Sequence, residues 1–468
     1  MLEEEIKKSR LSKAAAIYAE QCDTIMSTLY IHARALDATV SMSVTSRRKN
    51  KKIVAIVVVI IIAASVAGYF WTVATPTGPT KDAIKIGFTL SFSGSASYVA
   101  EDELRGITLW ANSTNAQEGV FVKALNKKVP VKLIYYDDQS KPDIATSLYE
   151  KLINEDKVNL LLGTSVSLTT SPAATVAAKA NMFFLAPQAA NPTIYRQNYT
   201  CVFGTMPLVD QFTGPVWPFL KAVKMNKVAI LYDKSIDLWV SAHANDLITI
   251  QKNGLELVFD QGFVNDTENF VPLLLQAQSS GADALIVEDY MVPNVINIVK
   301  QMRSSGVSFK VFFNAYVGAS YNQFMSSLGD LGGYAFGSTQ GLPSLEYLVN
   351  YGMDSATFLA EMRKSHGSTY TPGAFAYTEY VSGLIVQKVL ETANSLKTED
   401  LVAATFALSG NLKTLIGTTV FEKTSTGIEQ RGNSFVIVQV QPKTGGGWEM
   451  QIMYPTDVKT ADPMFTEQ

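Results

Sequence analysis

The sequence predicts an α/β fold of two doubly wound, Rossmann-like lobes joined by hinge strands and preceded by one transmembrane helix. Three observations carry that expectation. From residue 84 onward, short apolar runs alternate with amphipathic helical stretches, the pattern of a parallel sheet covered by helices on both faces. A second series of the same kind starts at residue 227, and a charge-free apolar run occupies residues 53–71.

In chain order, residues 1–52 form a basic head, with ten Lys and Arg against six Asp and Glu. Ile53 to Trp71, IVAIVVVIIIAASVAGYFW, follows as 19 residues without a charge. As a helix it measures about 28 Å, enough for one crossing of the hydrocarbon core. Arg47, Arg48, Lys49, Lys51 and Lys52 precede it, and Tyr69, Phe70 and Trp71 close its far end as interfacial aromatics. This predicts a single-pass protein of the cell membrane, with a cytoplasmic N-terminus and an extracytoplasmic body. A cleaved signal peptide is the rival reading, but the run is longer than a usual apolar signal core and no small-residue cleavage site precedes Pro76. Met42, just ahead of the basic cluster, is an alternative start. Residues 72–83, rich in Thr, Pro and Gly, read as an extended linker. Sequons at Asn112, Asn198 and Asn265 all fall on the side expected to be outside.

The 468 residues suffice for more than one domain, and 47% hydrophobic with 17% charged content is that of a folded protein. Beyond residue 52 the chain is acidic and has no Lys/Arg run, which argues against nucleic acid as a partner. The cysteines, Cys22 and Cys201, flank the membrane run, so no disulfide between them is expected.

The body reads first as strand Ile84–Leu90, a helix from Asp102 to Asn115, strand Val131–Tyr136, helix Asp143–Glu155, strand Leu160–Leu162, helix Pro172–Ala180 and strand Phe183–Ala186. The second series is strand Lys227–Tyr232, helix 238–252, strand Leu255–Asp260, helix 268–279, strand Ala284–Glu288, helix Pro293–Ser304 and strand Lys310–Asn314. A long helix from Phe375 to Asn394 and strands at Thr419–Phe421, Phe435–Gln441 and Trp448–Tyr454 complete the chain. Two such lobes imply a cleft between them, with function in the loops at the carboxyl ends of the strands.

An ordered set of motifs carries a resemblance. It comprises IKIGFTLSFSGSAS (84–97), YYDDQSKPDIATSLYEKLINEDKV (135–158), LLLGTSVSLTTSPAATVAAKANMFFLAPQAANP (160–192), KVAILYDKS (227–235), SSGADALIVEDYMVPNVINIVKQMRSSG (279–306), GGYAFGS (332–338) and GTTVFEK (417–423). With these, residues 84–468 resemble the branched-chain amino-acid (Leu/Ile/Val) type of periplasmic binding protein type 1, the solute receptor of ABC importers. The resemblance implies a Venus-flytrap clamp that closes on a small polar ligand (an amino acid, amide or related compound) and presents it to permease subunits, with no enzymatic activity. It also implies lobe one from 84–208 and 339–418, and lobe two from 209–338 and 419–468. The hinges would then fall at Met206–Asp210, Ser338–Pro343 and Gly417–Phe421. A ligand-sensing receptor ectodomain that signals through a membrane partner is the alternative, although the short head contains no visible output module.

By resemblance, Ser167 is the main hydroxyl contact to a ligand carboxylate, and the loop 186–192 offers Ala189, with Ala190 and Asn191 where a threonine is usual. Ser167 and Thr169 stand just ahead of Pro172, so their hydroxyls read either as ligand contacts or as helix caps. Ser93 poses the same choice. Ala315 stands where the resemblance places a glutamate for the ligand ammonium, which argues against a standard α-amino acid. Asp237, Glu288 and Asp289 are other acids at strand ends; they read as ligand contacts, or as a helix cap and solvated loop acids. Tyr98, Tyr290, Tyr316 and Trp239 are candidate aromatic walls.

Other chemistry finds no support. His32, His243 and His366 lack metal-ligand spacing, and the body has no phosphate-cradling loop, dinucleotide fingerprint or nucleophile elbow. Neither metal nor cofactor is expected.

Overall fold

The computed structural model describes residues 83–465 other than Ser434. The expected head, membrane helix and nearly all of the linker therefore lie outside the described residues. Among the described residues no helix is long and apolar enough to cross a membrane.

The first sheet uses β1 (Ile84–Leu90), β4 (Val131–Asp137), β5 (Leu160–Leu162), β6 (Phe184–Ala186) and β7 (Val202–Gly204), with a small hairpin, β2 (Val120–Val122) and β3 (Lys127–Val129), at its side. The strands run parallel in the order β4-β1-β5-β6-β7. Their sequences explain this: LLL, FLA and VFG are buried throughout, as strands covered on both faces must be. The covering helices include α1 (Ser97–Asn115), α2 (Pro142–Asn154), α3 (Ser167–Lys179) and the one-turn α4 (Pro192–Tyr195).

After the short helices α5 (Asp210–Thr213) and α6 (Val216–Ala222), the second sheet begins with β8 (Lys227–Asp233), α7 (Asp237–Asn253), β9 (Glu256–Phe263), α8 (Val271–Ser279), β10 (Ala284–Glu288), α9 (Val292–Ser304) and β11 (Val311–Phe313). It continues through α10 (Ala315–Ala319), α11 (Tyr321–Leu328) and β12 (Phe336–Thr339). Its order is β18-β17-β12-β11-β10-β8-β9, and the last two strands in sequence, β17 (Val436–Pro442) and β18 (Trp448–Tyr454), join antiparallel.

Between β12 and β17 the chain returns to the first lobe through α12 (Ser355–His366), α13 (Ala374–Thr392) and α14 (Thr398–Leu408), then the pairs β13 (Lys413–Thr414) with β14 (Gly417–Thr418) and β15 (Phe421–Lys423) with β16 (Ile428–Gln430). Helix α13 lies against α1, and its Ala376, Tyr377, Val381 and Ile385 share one core with Ile86, Phe88, Ile107 and Trp110. Two glycines permit the approach. A Cβ on Gly106 would sit 2.1 Å from the Ala376 carbonyl oxygen, and one on Gly383 would sit 2.2 Å from the Trp110 ring.

The structure departs from the sequence reading in several places. Helix α3 starts at Ser167 rather than Pro172, which lies inside it. Pro172 has no N–H for the carbonyl of Leu168, but Leu168 is 52% exposed, so water can satisfy that oxygen. Helix α1 likewise starts at Ser97, ahead of the expected Asp102. The hairpin β2–β3 and strand β7 were not foreseen, being only three residues each. The third crossing between lobes is also displaced from the expected Gly417–Phe421. Phe421 and Ile428 belong to the first-lobe core, and the chain reaches the second-lobe core only at Phe435. The other crossings run past Leu208, in the first-lobe core, to Val209, in the second, and past Thr339 to Gln340, whose amide donates to Thr378 at 2.9 Å. The first and third crossings are tied together, because the Thr205 carbonyl accepts from Gln430 Nε2 at 3.0 Å and Asn433 Nδ2 at 3.2 Å.

Candidate functional site: the cleft between the lobes

Strand order locates the site. In the first sheet β1 is flanked by β4 and β5, so the loops after β1 and β5 part in opposite directions; in the second, the loops after β8 and β10 part in the same way. At such switch points open parallel sheets leave a crevice beyond the strands' carboxyl ends. Residues 163–167 stand at one of these points and residues 289–291 at the other.

The cleft is lined by Tyr98, Ser165, Ser167, Gln188, Ala190 and Phe375 from the first lobe, and by Leu238, Tyr290 and Tyr316 from the second. It is closed. The enclosed cavity is about 10 Å³, room for about one water, and a neighbouring one at the mouth, also bounded by Tyr98, is about 70 Å³. The Tyr98 hydroxyl donates to the Tyr290 carbonyl at 2.9 Å, bridging the lobes. Around it the Tyr316 ring lies 6.1 Å from Tyr290, 6.4 Å from Phe375 and 6.5 Å from Trp239, centroid to centroid. A small ligand placed here would meet flat apolar faces on several sides.

Ser167 is the first residue of α3. Val166 before it is extended and offers no side-chain cap, so the first N–H groups of the helix have no intrahelical acceptor. The Ser167 hydroxyl accepts from the N–H groups of Ala190 and Asn191, both at 3.2 Å, which leaves its own proton free to donate into the cleft. Four expected site residues thus converge: Ser167, Tyr98, Tyr290 and Tyr316.

The other five stand elsewhere. Ser93 is exposed and its hydroxyl donates to Asp137 at 2.7 Å in a surface turn. Asp237 is exposed at the start of α7 and is not among the lining residues, although its neighbour Leu238 is. Asn191 caps α4, accepting from the Thr193 N–H at 3.0 Å and the Thr193 hydroxyl at 2.9 Å. Thr169 is fully buried, its hydroxyl against that of Thr164. Ala189 is buried behind the lining, where its carbonyl accepts from Tyr195 at 2.6 Å. Ser165, Gln188, Leu238 and Phe375 were missed. Gln188 was visible as the first polar residue in the otherwise small and apolar start of APQAANP, whereas Phe375 read only as the start of a core helix.

The acids of the second lobe are not solvated, for Glu288 and Asp289 are both fully buried. Burial pushes Asp289 up to about 7, against the pull of the Met291 N–H and the Asn294 amide, which donate to its two oxygens at 2.7 and 2.9 Å. Glu288 and Asp246 are buried against each other, and burial raises both well above the usual carboxylate range. Ala315 opens α10 behind Asn314, whose amide ties the Val287 and Asp289 carbonyls at 2.9 and 2.7 Å. Among the described residues no group of His, Cys, Asp and Glu is arranged to hold a metal ion.

The sequence and the fold have relatives. The family model described as periplasmic binding protein matches residues 83–446. The leucine-specific-binding protein of Salmonella typhimurium is 25% identical over 242 residues, 50% of this chain and 62% of that protein, so under two thirds of that relative's length is spanned. A branched-chain amino acid transporter substrate binding protein from Streptococcus pneumoniae, solved with isoleucine, superposes with a TM-score of 0.65 at 19% identity, covering 80% of this chain and 100% of that one. A solute binding protein of an ABC transporter from Rhodopseudomonas palustris, solved with 3,4-dihydroxybenzoic acid, gives 0.64 at 20%, covering 79% and 96%. At these identities the solved structures establish the fold.

Proposed function

The chain belongs to the periplasmic binding protein family, and from that premise we propose that it is the solute-binding protein of an ABC importer, closing two lobes on a small polar ligand. The observation that carries the reading is the cleft itself. It lies at the switch points of both sheets, is bridged by Tyr98 and Tyr290, and has a hydroxyl and a helix N-terminus on one wall with aromatic rings around them. As described the lobes are shut, so a ligand enters by their parting and is enclosed as they return, its contacts favouring the closed form. Ser167 and the first N–H groups of α3 suit an oxygen-bearing end such as a carboxylate. The rings of Tyr98, Tyr290, Tyr316 and Phe375 suit an apolar body.

We place the body outside the cytoplasmic membrane, tethered by residues 53–71, with permease subunits as its partners. The support is the 19-residue charge-free run between a basic cluster and interfacial aromatics. Tethering keeps the receptor near its transporter at high local concentration.

A thermal-shift screen of the full chain in detergent, against amino acids, amides, amines and aromatic or aliphatic carboxylates, tests the reading. A ligand at one hundred times its Kd raises stability by about 2.7 kcal/mol. The expected outcome is a stabilising compound whose effect Ser167→Ala abolishes; no shift with any of these classes would overturn the assignment.

A further inference from the structure

In the second lobe Ala315 offers nothing to a cation, and both oxygens of Asp289 already accept, from the Met291 N–H and from the Asn294 amide at the start of α9. The first lobe differs. Gln188 lines the cleft at 6% exposure, its Nε2 donates to the Phe375 carbonyl at 3.3 Å, and its Oε1 has no partner. Two carboxyls stand behind it. Glu103 lies one helical turn beyond the cleft-lining Val99 on α1, and Glu379 one turn beyond the cleft-lining Phe375 on α13. Ser165, also in the lining, donates its hydroxyl to Glu103 Oε2 at 2.5 Å and accepts from the Ser91 N–H at 3.0 Å. Glu103 Oε1 has no partner, and the Gln188 amide lies against Glu379. No Lys or Arg stands among the groups acting on either carboxyl.

We propose that Gln188, backed by Glu103 and Glu379, forms the floor on which the cleft receives the amine end of its solute, so that an acid on the first lobe does the work Ala315 cannot do on the second. This rests on the solute-binding reading and narrows it to amine-bearing solutes. The physical reason is satisfaction of buried acceptors. An ammonium supplies the donor that Gln188 Oε1, the unpartnered acceptor in the lining, lacks, and its charge favours ionisation of the carboxyls behind it. Burial holds Glu103 protonated up to about 8. A cation at the floor favours the carboxylate, so binding at neutral pH expels the Glu103 proton to solvent while the ammonium keeps its own.

The test uses the full chain in detergent with two matched probe sets, L-leucine, isopentylamine and isovalerate, and L-phenylalanine, phenethylamine and 3-phenylpropanoate, followed by isothermal titration in buffers of differing ionisation heat. The expected result is that amine-bearing members bind at least tenfold more tightly than the acid-only members and release up to one proton at pH 7. Glu103→Gln removes the proton release and weakens amine binding about tenfold while sparing the acid-only probe. The proton measurement on the unaltered chain stands even where the variant does not fold. Acid-only probes binding as tightly as amines, or amine binding without proton release, would overturn the amine floor and leave the solute-binding reading standing. Silence of all six probes and of the wider screen would overturn both.

Discussion

Ser167 holds two backbone N–H groups that belong to another loop, so it serves structure as well as any ligand. Ser167→Ala strands the Ala190 and Asn191 donors, and the expected cost is about 1–3 kcal/mol, read as a lowered urea midpoint with an unchanged slope. Glu103 gives a pH prediction of definite sign. Burial raises it from the ordinary 4.5 to about 8, with the Ser165 hydrogen bond pulling it down and the Asp138 and Asp102 charges adding to the rise. Between those values the folded chain keeps a proton that the unfolded chain releases. The contribution of Glu103 to stability therefore falls as pH rises from about 4.5 to about 8 and levels off above, while the other raised carboxyls add slopes of the same sign. Glu103→Gln makes this slope shallower and so gains more, relative to the unaltered chain, at pH 8 than at pH 5, measurable by denaturant unfolding at pH 5, 6.5 and 8. At this scale the sequence was only half legible. Tyr98, Ser167, Tyr290 and Tyr316 sit where strand ends are recognisable from apolar runs and turn residues. Ser93, Thr169 and Asn191 bear the same polar groups in the same kinds of loop, and only the side-chain direction separates a surface turn or a cap from a cleft wall.

Among elements, α1 and α13 are packed closely, since both Gly106 and Gly383 face atoms nearer than any Cβ tolerates. Gly383→Ala forces the Trp110 ring out of a fully buried site, at an expected cost of about 1–3 kcal/mol or more, visible as a lowered thermal midpoint with unchanged far-ultraviolet circular dichroism at 25 °C. The strands were the most legible elements, because β1, β5 and β10 are short, mostly apolar and buried runs that coincide with the expected ranges. Helix starts were less so. Without a side-chain cap at Val166 or Ala96, nothing local marked the first turn of α3 or α1, and Pro172 drew the expected boundary inward. The hairpin β2–β3 and strand β7 are too short to display a period.

At the scale of the molecule, the Tyr98 hydrogen bond closes the mouth between lobes together with that of the Asn322 amide to the Thr371 carbonyl at 2.9 Å, and each such bond contributes about 0.5–1.5 kcal/mol net. Tyr98→Phe shifts the population toward the open form, with an expected three- to tenfold loss of ligand affinity and a larger radius of gyration by solution X-ray scattering. The architecture of two doubly wound sheets was readable from alternation alone. The third crossing was not, because the short strands β15 and β16 pair only with each other, and it is the packing of Phe421 and Ile428 that places them in the first-lobe core. That interleaving has a consequence for synthesis. The strands of the first sheet and the covering helices α1 to α4 are complete by Gly204, but α13, which shares the core of β1 and α1, begins at Ala374, after five strands of the second sheet have been made. A chain emerging from the ribosome thus carries a first sheet whose core is only partly covered until residue 374 is passed, and a nascent chain stalled before that point is a natural client for chaperones that shield apolar surface.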